Sequence, residues 1–338
     1  MAIRVGINGF GRIGRNFLRA ALGREGLEVV AVNDLVAPAT NAHLLKYDST
    51  QGPLGVEVAV TETGLAVGGA EIAVYAERDP GAVPWGTHGV DVVIESTGLF
   101  TTREKAAAHL AGGARRVVIS APSPDADASF VVGVNDDTFD PERHVVVSNA
   151  SCTTNCFVPM VKVLDDAFGV RGGLMTTVHA YTNDQNLLDL AHKDLRRARA
   201  AAVNIVPSST GAARATSLVL EAMKGRLDGT SLRVPVPAGS ITDFTAVVGV
   251  TSVEAVNGAF KAASERGLAG VLVYCDEPIV SSDIVGSPAS CTFDSLMTMV
   301  QPLDGDSALV KVFGWYDNEW GYSNRVVDLI GYLVSKGL

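Results

Sequence analysis

The sequence predicts a two-domain α/β protein: a doubly wound sheet first, then an α+β unit built on a mainly antiparallel sheet. Three observations carry this. A glycine-rich turn stands between a strand-like run and a helical run near the N-terminus. Short β-branched runs alternate with helical stretches as far as residue 150. Beyond Gly172 the strands lengthen and alternate in polarity. The chain has 338 residues, 47% of them hydrophobic, enough for a large core and for more than one domain.

Taken in order, Ile3 to Asn8 reads as a buried strand that runs into Gly9-Phe10-Gly11-Arg12-Ile13-Gly14. Arg15 to Leu22 then has helical periodicity, and Val29 to Val32 is a second strand ending at Asn33-Asp34. Strand, G-x-G-x-x-G, helix, strand and an acidic residue about 20 positions on form the dinucleotide-binding fingerprint in its required context. Gly9, Gly11 and Gly14 allow a tight turn and close approach of the pyrophosphate to a helix N-terminus. Asp34 is placed to accept from ribose hydroxyls and to repel a 2′-phosphate, so NAD is expected over NADP. Further strands are expected at 57–60, 71–75, 91–95, 116–120 and 145–148. Ser96 and Ser120 fall at carboxyl ends of strands, where such sheets bind ligands.

The expected domains are residues 1–150, completed by a C-terminal helix within 318–338, and residues 151–317. The second should hold strands at 174–180, 231–235, 241–250, 271–274 and 309–316, with helices at 211–221 and 253–265. Residues 181–203 form a long polar and basic segment, a length that favours function over plain connection.

Composition excludes several classes. A net charge of -10 opposes a nucleic-acid surface. No run of about 18 apolar residues is present, so no membrane span is expected. The N-terminus shows no signal-peptide pattern, and the four cysteines make neither a disulfide framework nor a zinc spacing. A soluble cytoplasmic protein without metal is the expectation.

The chemistry centres on Ser151-Cys152-Thr153-Thr154-Asn155-Cys156 and His179. A helical pattern beginning at Cys152 puts its thiol at a helix N-terminus, where the dipole and free amides favour thiolate. A lone cysteine usually packs as a small hydrophobe; the polar neighbours and a histidine partner point instead to a nucleophile. A Cys–His pair suits attack on a carbonyl. With a dinucleotide site it implies addition to an aldehyde, hydride loss and a thioester. Ser151, Thr153, Thr182, Thr210, Gly211 and Arg233 are individually ordinary cap or strand residues. As a set they suggest two anion pockets.

From end to end the chain resembles the phosphorylating glyceraldehyde-3-phosphate dehydrogenases. The matching motifs are Asn8 to Gly14, Lys46 to Thr50, Ala150 to Cys156, His179 to Gln185, Arg196 to Ala201, Arg233 to Pro237 and Trp315 to Tyr322. The resemblance implies a cytosolic glycolytic homotetramer. It would turn glyceraldehyde 3-phosphate, inorganic phosphate and NAD into 1,3-bisphosphoglycerate and NADH. It implies Cys152 as nucleophile and His179 as acid/base partner. Thr182 and Arg233 would hold the substrate phosphate, and Ser151, Thr153, Thr210 and Gly211 the attacking phosphate, with Arg197 nearby. Arg12 and Ile13 would lie at the pyrophosphate, Asp34 at the adenosine ribose and Asn318 at the nicotinamide carboxamide, with Arg78, Ser96 and Ser120 also on the cofactor.

The chain departs from the usual pattern at Ala191, Ala238, Phe157-Val158, Leu220 to Met223 and Cys291. These positions bear on coenzyme selectivity and on a specialised, inhibitor-tolerant copy, not on the reacting groups. Erythrose-4-phosphate dehydrogenase is the nearest rival, aspartate-semialdehyde dehydrogenase a more distant one. A catalytically silent NAD-binding protein is the rival from another class, opposed by the intact Cys152, His179, Arg233 and Asn318.

Overall fold

The computed structural model describes residues 2–337. The chain separates into two compact units: Met1–Phe130 with Asp136–Ala150 and Ser323–Leu338, and Val131–Asn135 with Ser151–Tyr322.

The first unit holds β1 (Ile3–Asn8), α1 (Arg12–Ala21), β2 (Leu27–Asn33), α2 (Pro38–Lys46), β3 (Val58–Val60), β4 (Gly64–Val67) and β5 (Ala70–Tyr75). It continues with β6 (Val92–Glu95), α3 (Arg103–Ala106), α4 (Ala108–Ala111), β7 (Arg116–Ile119), β8 (Ala128–Ser129) and β9 (Val146–Ser148). The sheet order is β3-β4-β5-β2-β1-β6-β7-β9-β8. From β5 to β8 all pairs are parallel, and β3–β4–β5 is an antiparallel edge. The central strands are buried on both faces, which is why they read as unbroken apolar runs. The order turns outward in both directions from β1, so the turn after β1 lies at the switch point of a doubly wound sheet.

A buried polar network fixes that strand end. Asn8 Nδ2 donates to Glu95 Oε2 (2.6 Å), and Asn33 Nδ2 donates to Asn8 Oδ1 (2.7 Å). Trp85 Nε1 donates to His109 Nδ1 (3.2 Å), which leaves the His109 Nε2 proton for Glu95 at 3.0 Å. Each member has a partner, as a buried network needs in order to hold one arrangement.

The second unit holds α5 (Cys152–Phe168), β10 (Gly172–Ala180), β11 (Val206–Ser209), α6 (Ala212–Ala215), β12 (Leu227–Val234), β13 (Ser240–Gly249) and α7 (Val253–Glu265). It continues with β14 (Leu272–Cys275), α8 (Ser281–Ile284), β15 (Cys291–Asp294), β16 (Met299–Pro302) and β17 (Ser307–Tyr316); α9 (Trp320–Ser335) follows. The sheet runs β11-β12-β10-β13-β17-β15-β14, with β16 also on β17. It is antiparallel apart from the β10–β12 and β14–β15 pairs. Strict alternation of burial along β13 and β17 shows one face turned to a core that also takes α5 and α7.

Two features differ from the sequence expectation. The helix expected over 211–221 is one turn, α6, followed by 3-10 turns at Thr216–Leu218 and Glu221–Met223. Thr216 Oγ1 bonds back to the Ala212 carbonyl (3.3 Å), a contact that bends helices, and Leu220 is extended (φ -121°, ψ 90°). Strands β4, β8, β11, β15 and β16, none longer than four residues, were not expected, nor were α2, α3, α4 and α8. The 181–203 segment forms no strand and only one 3-10 turn, Ala201–Val203.

Candidate active site

In the first unit, the glycine turn is shaped by contact on one side and by open space on the other. Gly9 has φ +90°, and a Cβ there would meet the backbone of Ser96 and Thr97; a Cβ at Gly14 would overlap the Gly9 carbonyl. A Cβ at Gly11 would meet nothing within 4 Å. Gly11 is the N-cap of α1, in extended conformation, and no side chain caps the helix there. Packing therefore explains Gly9 and Gly14 but not Gly11. An uncapped helix start with room above it fits a dinucleotide pyrophosphate.

Asp34 and Ser96 touch this turn, and Ser120 the end of neighbouring β6. Asp34 follows β2, its Oδ2 accepting from Phe10 N (2.6 Å) and its Oδ1 from Val36 N (2.9 Å). Ser96 Oγ donates to Gly9 O (2.6 Å), and Ser120 Oγ donates to Glu95 O (3.0 Å), so both hydroxyls brace the strand ends. Arg12 opens α1 beside Ile13 and is ion-paired with Asp48. Arg78 is exposed, next to Glu77, whose backbone is clamped by Asn33 (2.8 Å each way).

In the second unit, Ser151 caps α5. Its Oγ accepts from Thr154 N (3.0 Å). Ala150, just before it, has φ +53°, the one non-glycine residue with positive φ among those described. Such a conformation costs on the order of 1–3 kcal/mol and is held here by burial and by the Ala150 N to Ser148 Oγ bond (2.9 Å). The strained turn delivers Cys152 at the first position of α5, its Sγ 3.5 Å from His179 Nε2.

His179 lies near the end of β10, in register with Arg233 on parallel β12. Arg233 Nη1 is 2.6 Å from His179 Nδ1 and 3.1 Å from Ala180 O. A guanidinium has only donors, so Nδ1 accepts and the ring proton sits on Nε2, facing sulfur. The Ala180 carbonyl, also 2.6 Å from Nδ1, stands ready to accept from an Nδ1–H once Arg233 moves away. Burial, reinforced by the Arg233 charge, pushes His179 down to about 3.

The helix-end expectation for Cys152 is corrected here: burial outweighs it and raises the thiol. Arg233 and the Thr153 hydroxyl and amide pull back only in part. With the thiol pushed up and the imidazole pushed down, the uncharged forms of the pair are favoured.

The expected anion-binding residues fall into two groups. Thr182 lies two residues beyond β10, in a turn in which Gln185 N donates to Thr182 O (2.9 Å); Arg233 lies next to the end of neighbouring β12. Thr210 and Gly211 follow β11, whose end pairs with Thr230, and lead into α6; Gly211 leaves open space at its Cβ. Arg197 reaches this turn, its Nη2 3.4 Å from Ser209 O, and is ion-paired with Asp184. The Thr153 hydroxyl points elsewhere, to Tyr316 OH (2.9 Å). Asn318 Oδ1 accepts from Ser240 Oγ (3.1 Å), which in turn accepts from Ala180 N (3.0 Å).

Two contributors escaped the sequence reading. Tyr316 OH joins Thr153 on α5 to Thr177 on β10 (2.7 Å), and its ring meets His179 edge-on at 5.9 Å. Ser240 ties β10 to Asn318. Tyr316 stood in a quoted motif, but nothing in its spacing pointed to Thr153 or Thr177.

A dinucleotide fingerprint in one unit and a thiol–imidazole pair in the other define an NAD-linked aldehyde-oxidising enzyme. Residues 3–103 match the glyceraldehyde 3-phosphate dehydrogenase NAD binding domain, and residues 151–318 match the C-terminal domain of the same enzymes. The chain is 61% identical over 332 residues to glyceraldehyde-3-phosphate dehydrogenase 2 of Streptomyces avermitilis, covering 97% of this chain and 98% of that one. It is 58% identical to the glyceraldehyde-3-phosphate dehydrogenase of Geobacillus stearothermophilus and 56% to glyceraldehyde-3-phosphate dehydrogenase 1 of Bacillus subtilis, each over the whole of both chains. The chain belongs to the glyceraldehyde-3-phosphate dehydrogenase family, NAD-binding oxidoreductases of glycolysis. Among the described residues no helix is long and apolar enough to cross a membrane.

Proposed function

We propose that the chain oxidises glyceraldehyde 3-phosphate to 1,3-bisphosphoglycerate, with inorganic phosphate as acyl acceptor and Cys152 carrying the acyl group. The observation that carries this reading is the Cys152–His179 pair at the capped start of α5.

The substrate phosphate would take Arg233 and Thr182. Its oxygens would draw the guanidinium off Nδ1, and Nδ1 could then carry a proton and donate to Ala180 O. The Cys152 thiol would give up its proton as Nδ1 takes one up, exchanged through solvent, so that thiolate and imidazolium form together. The sulfur attacks the aldehyde carbon, the carbonyl electron pair moves to oxygen, and Nε2–H protonates it to give a thiohemiacetal. Nε2 takes the proton back as hydride leaves, and a thioester remains. Inorganic phosphate, held by Ser151, the Thr153 amide, Thr210 and Gly211 with Arg197 nearby, attacks the thioester carbon and expels the thiolate.

NAD, when bound, supplies the hydride acceptor. Gly9, Gly11, Arg12, Ile13 and Gly14 would hold its pyrophosphate, and Asp34 its adenosine ribose. Arg78, Ser96 and Ser120 would border it, with Asn318 for the carboxamide.

The reading extends to a cytoplasmic homotetramer. Leu187, Leu188, Leu190, Leu195 and Ile205 are all exposed on and beside the 181–203 segment, a patch that suits contact with a second copy. Sedimentation tests this, a monomer being the contrary result.

The activity is tested by following NADH formation from glyceraldehyde 3-phosphate with and without inorganic phosphate. Sustained turnover only with phosphate is expected. Phosphate-independent turnover, or faster turnover of erythrose 4-phosphate, contradicts the reading.

A further inference from the structure

Three sulfur atoms converge on Gly314 of β17. A Cβ at that glycine would lie 2.5 Å from Met160 Sδ, 2.6 Å from Cys291 Sγ and 3.0 Å from Cys156 Sγ. No two of these sulfurs can therefore be further apart than the sum of two such distances. The Cys156 thiol donates to the Gly314 carbonyl (3.5 Å), and Met160, Cys156 and Cys291 are all fully buried. Only glycine at 314 lets α5 and β15 bring their sulfurs this close over β17. Thr242, opposite Gly314 in the β13–β17 register, sets its hydroxyl against the Cys156 thiol, and that buried hydroxyl has no nitrogen or oxygen partner.

The cluster also has an approach. Cys152, Cys156 and Met160 stand at i, i+4 and i+8 of α5, so their sulfurs line one face of the helix. The line starts at partly exposed Cys152 and ends at the cluster.

We propose that Cys156, Cys291 and Met160 form a binding site for a soft monovalent cation of the copper(I) or silver(I) type, reached by ligand exchange from Cys152. Two thiols and a thioether select soft cations, and the nearby oxygens of Thr242 and Gly314 are too few for a hard cation, which takes about six or more. Zinc would require a fourth nitrogen or sulfur ligand. Binding exchanges one proton for the cation: one S–H bond breaks, the proton leaves to solvent and a thiolate–metal bond forms. The buried charge is unchanged by the exchange, which suits an apolar core.

The test uses the full-length Cys152→Ser protein, so that the outer thiol does not compete. Copper(I) is titrated anaerobically against a chromophoric copper(I) chelator, and the bound metal is examined by X-ray absorption. One equivalent with three sulfur neighbours is expected. Adding Met160→Leu, a volume-conserving change, should weaken binding by roughly 10–100-fold or more without altering the thermal midpoint much; Cys291→Ser should do at least the same. No tight binding to the Cys152→Ser protein overturns the proposal. So does binding that Met160→Leu and Cys291→Ser both leave unchanged, which would place the metal on partly exposed Cys275.

Discussion

The starts of α1 and α5 are both strand–turn–helix junctions, yet they are built in opposite ways. At α1 the cap is Gly11, no side chain caps the helix, and a Cβ on that glycine would meet nothing within 4 Å. At α5 the cap is Ser151, its hydroxyl occupies Thr154 N, and the free group is a thiol facing an imidazole. The first junction offers backbone amides, so its demands are steric. The second offers side chains whose charge states depend on one another, so its demands are electrostatic. Helix dipole arguments serve the first and fail at the second, where burial raises the thiol despite the helix end.

The largest effect should come from the thiol itself. Cys152→Ser should abolish turnover and leave NAD affinity within a few-fold, because a hydroxyl is a far weaker nucleophile near neutral pH. Cys156→Ser, one turn along the helix, should retain most activity. Equal loss in the two variants, measured as initial rates of NADH formation, would break the assignment to one cysteine.

His179→Asn should lower turnover by roughly 10²–10⁴-fold, the range of a lost acid/base group. It should also change how stability depends on pH. His179 titrates at about 3 when folded against 6.5 unperturbed. Between those values the unfolded chain binds a proton that the folded chain refuses. The contribution is whole above about pH 6.5 and is lost as pH falls toward 3. Denaturant titrations from pH 7 to 4 should therefore show a shallower decline in the variant; identical slopes would mean that His179 charges without penalty.

Arg233→Ala should raise KM for glyceraldehyde 3-phosphate by roughly 10–100-fold, as a lost charge-assisted contact of about 1.5–3 kcal/mol implies. Unphosphorylated glyceraldehyde should be affected much less. Equal losses on the two aldehydes would show that Arg233 acts only through His179.

The steric side of the comparison gives the smallest effect on chemistry. Gly14→Ala forces a Cβ onto the Gly9 carbonyl and should lower stability and NAD affinity together. Gly11→Ala meets no protein atom, so it should fold with near-normal stability and lose NAD affinity alone. Calorimetry with and without NAD separates the two; unchanged NAD binding in Gly11→Ala would mean that the open space is not the pyrophosphate site.

The same contrast explains what was legible in the sequence. The fingerprint, β1 and the start of α5 depend on neighbours within about 30 residues, and their spacing is visible along the chain. Cys152 and His179 were found because each carries a local polar context. The Arg233–His179 contact joins residues 54 apart through a parallel register, and Tyr316 meets Thr153 across 163 residues. No local pattern encodes such pairings. The short strands β4, β8, β11, β15 and β16 were missed for a related reason: four residues or fewer carry too little periodicity.

The central claim is that Cys152 carries the acyl group between oxidation and phosphorolysis. The most direct measurement mixes the chain with NAD and glyceraldehyde 3-phosphate in the absence of inorganic phosphate, quenches in acid and maps the adduct by peptide mass spectrometry. One equivalent of NADH with a matching acyl adduct on the peptide containing Cys152, released on adding phosphate, is the predicted result. An adduct on another residue, or NADH formed with no adduct at all, would contradict it.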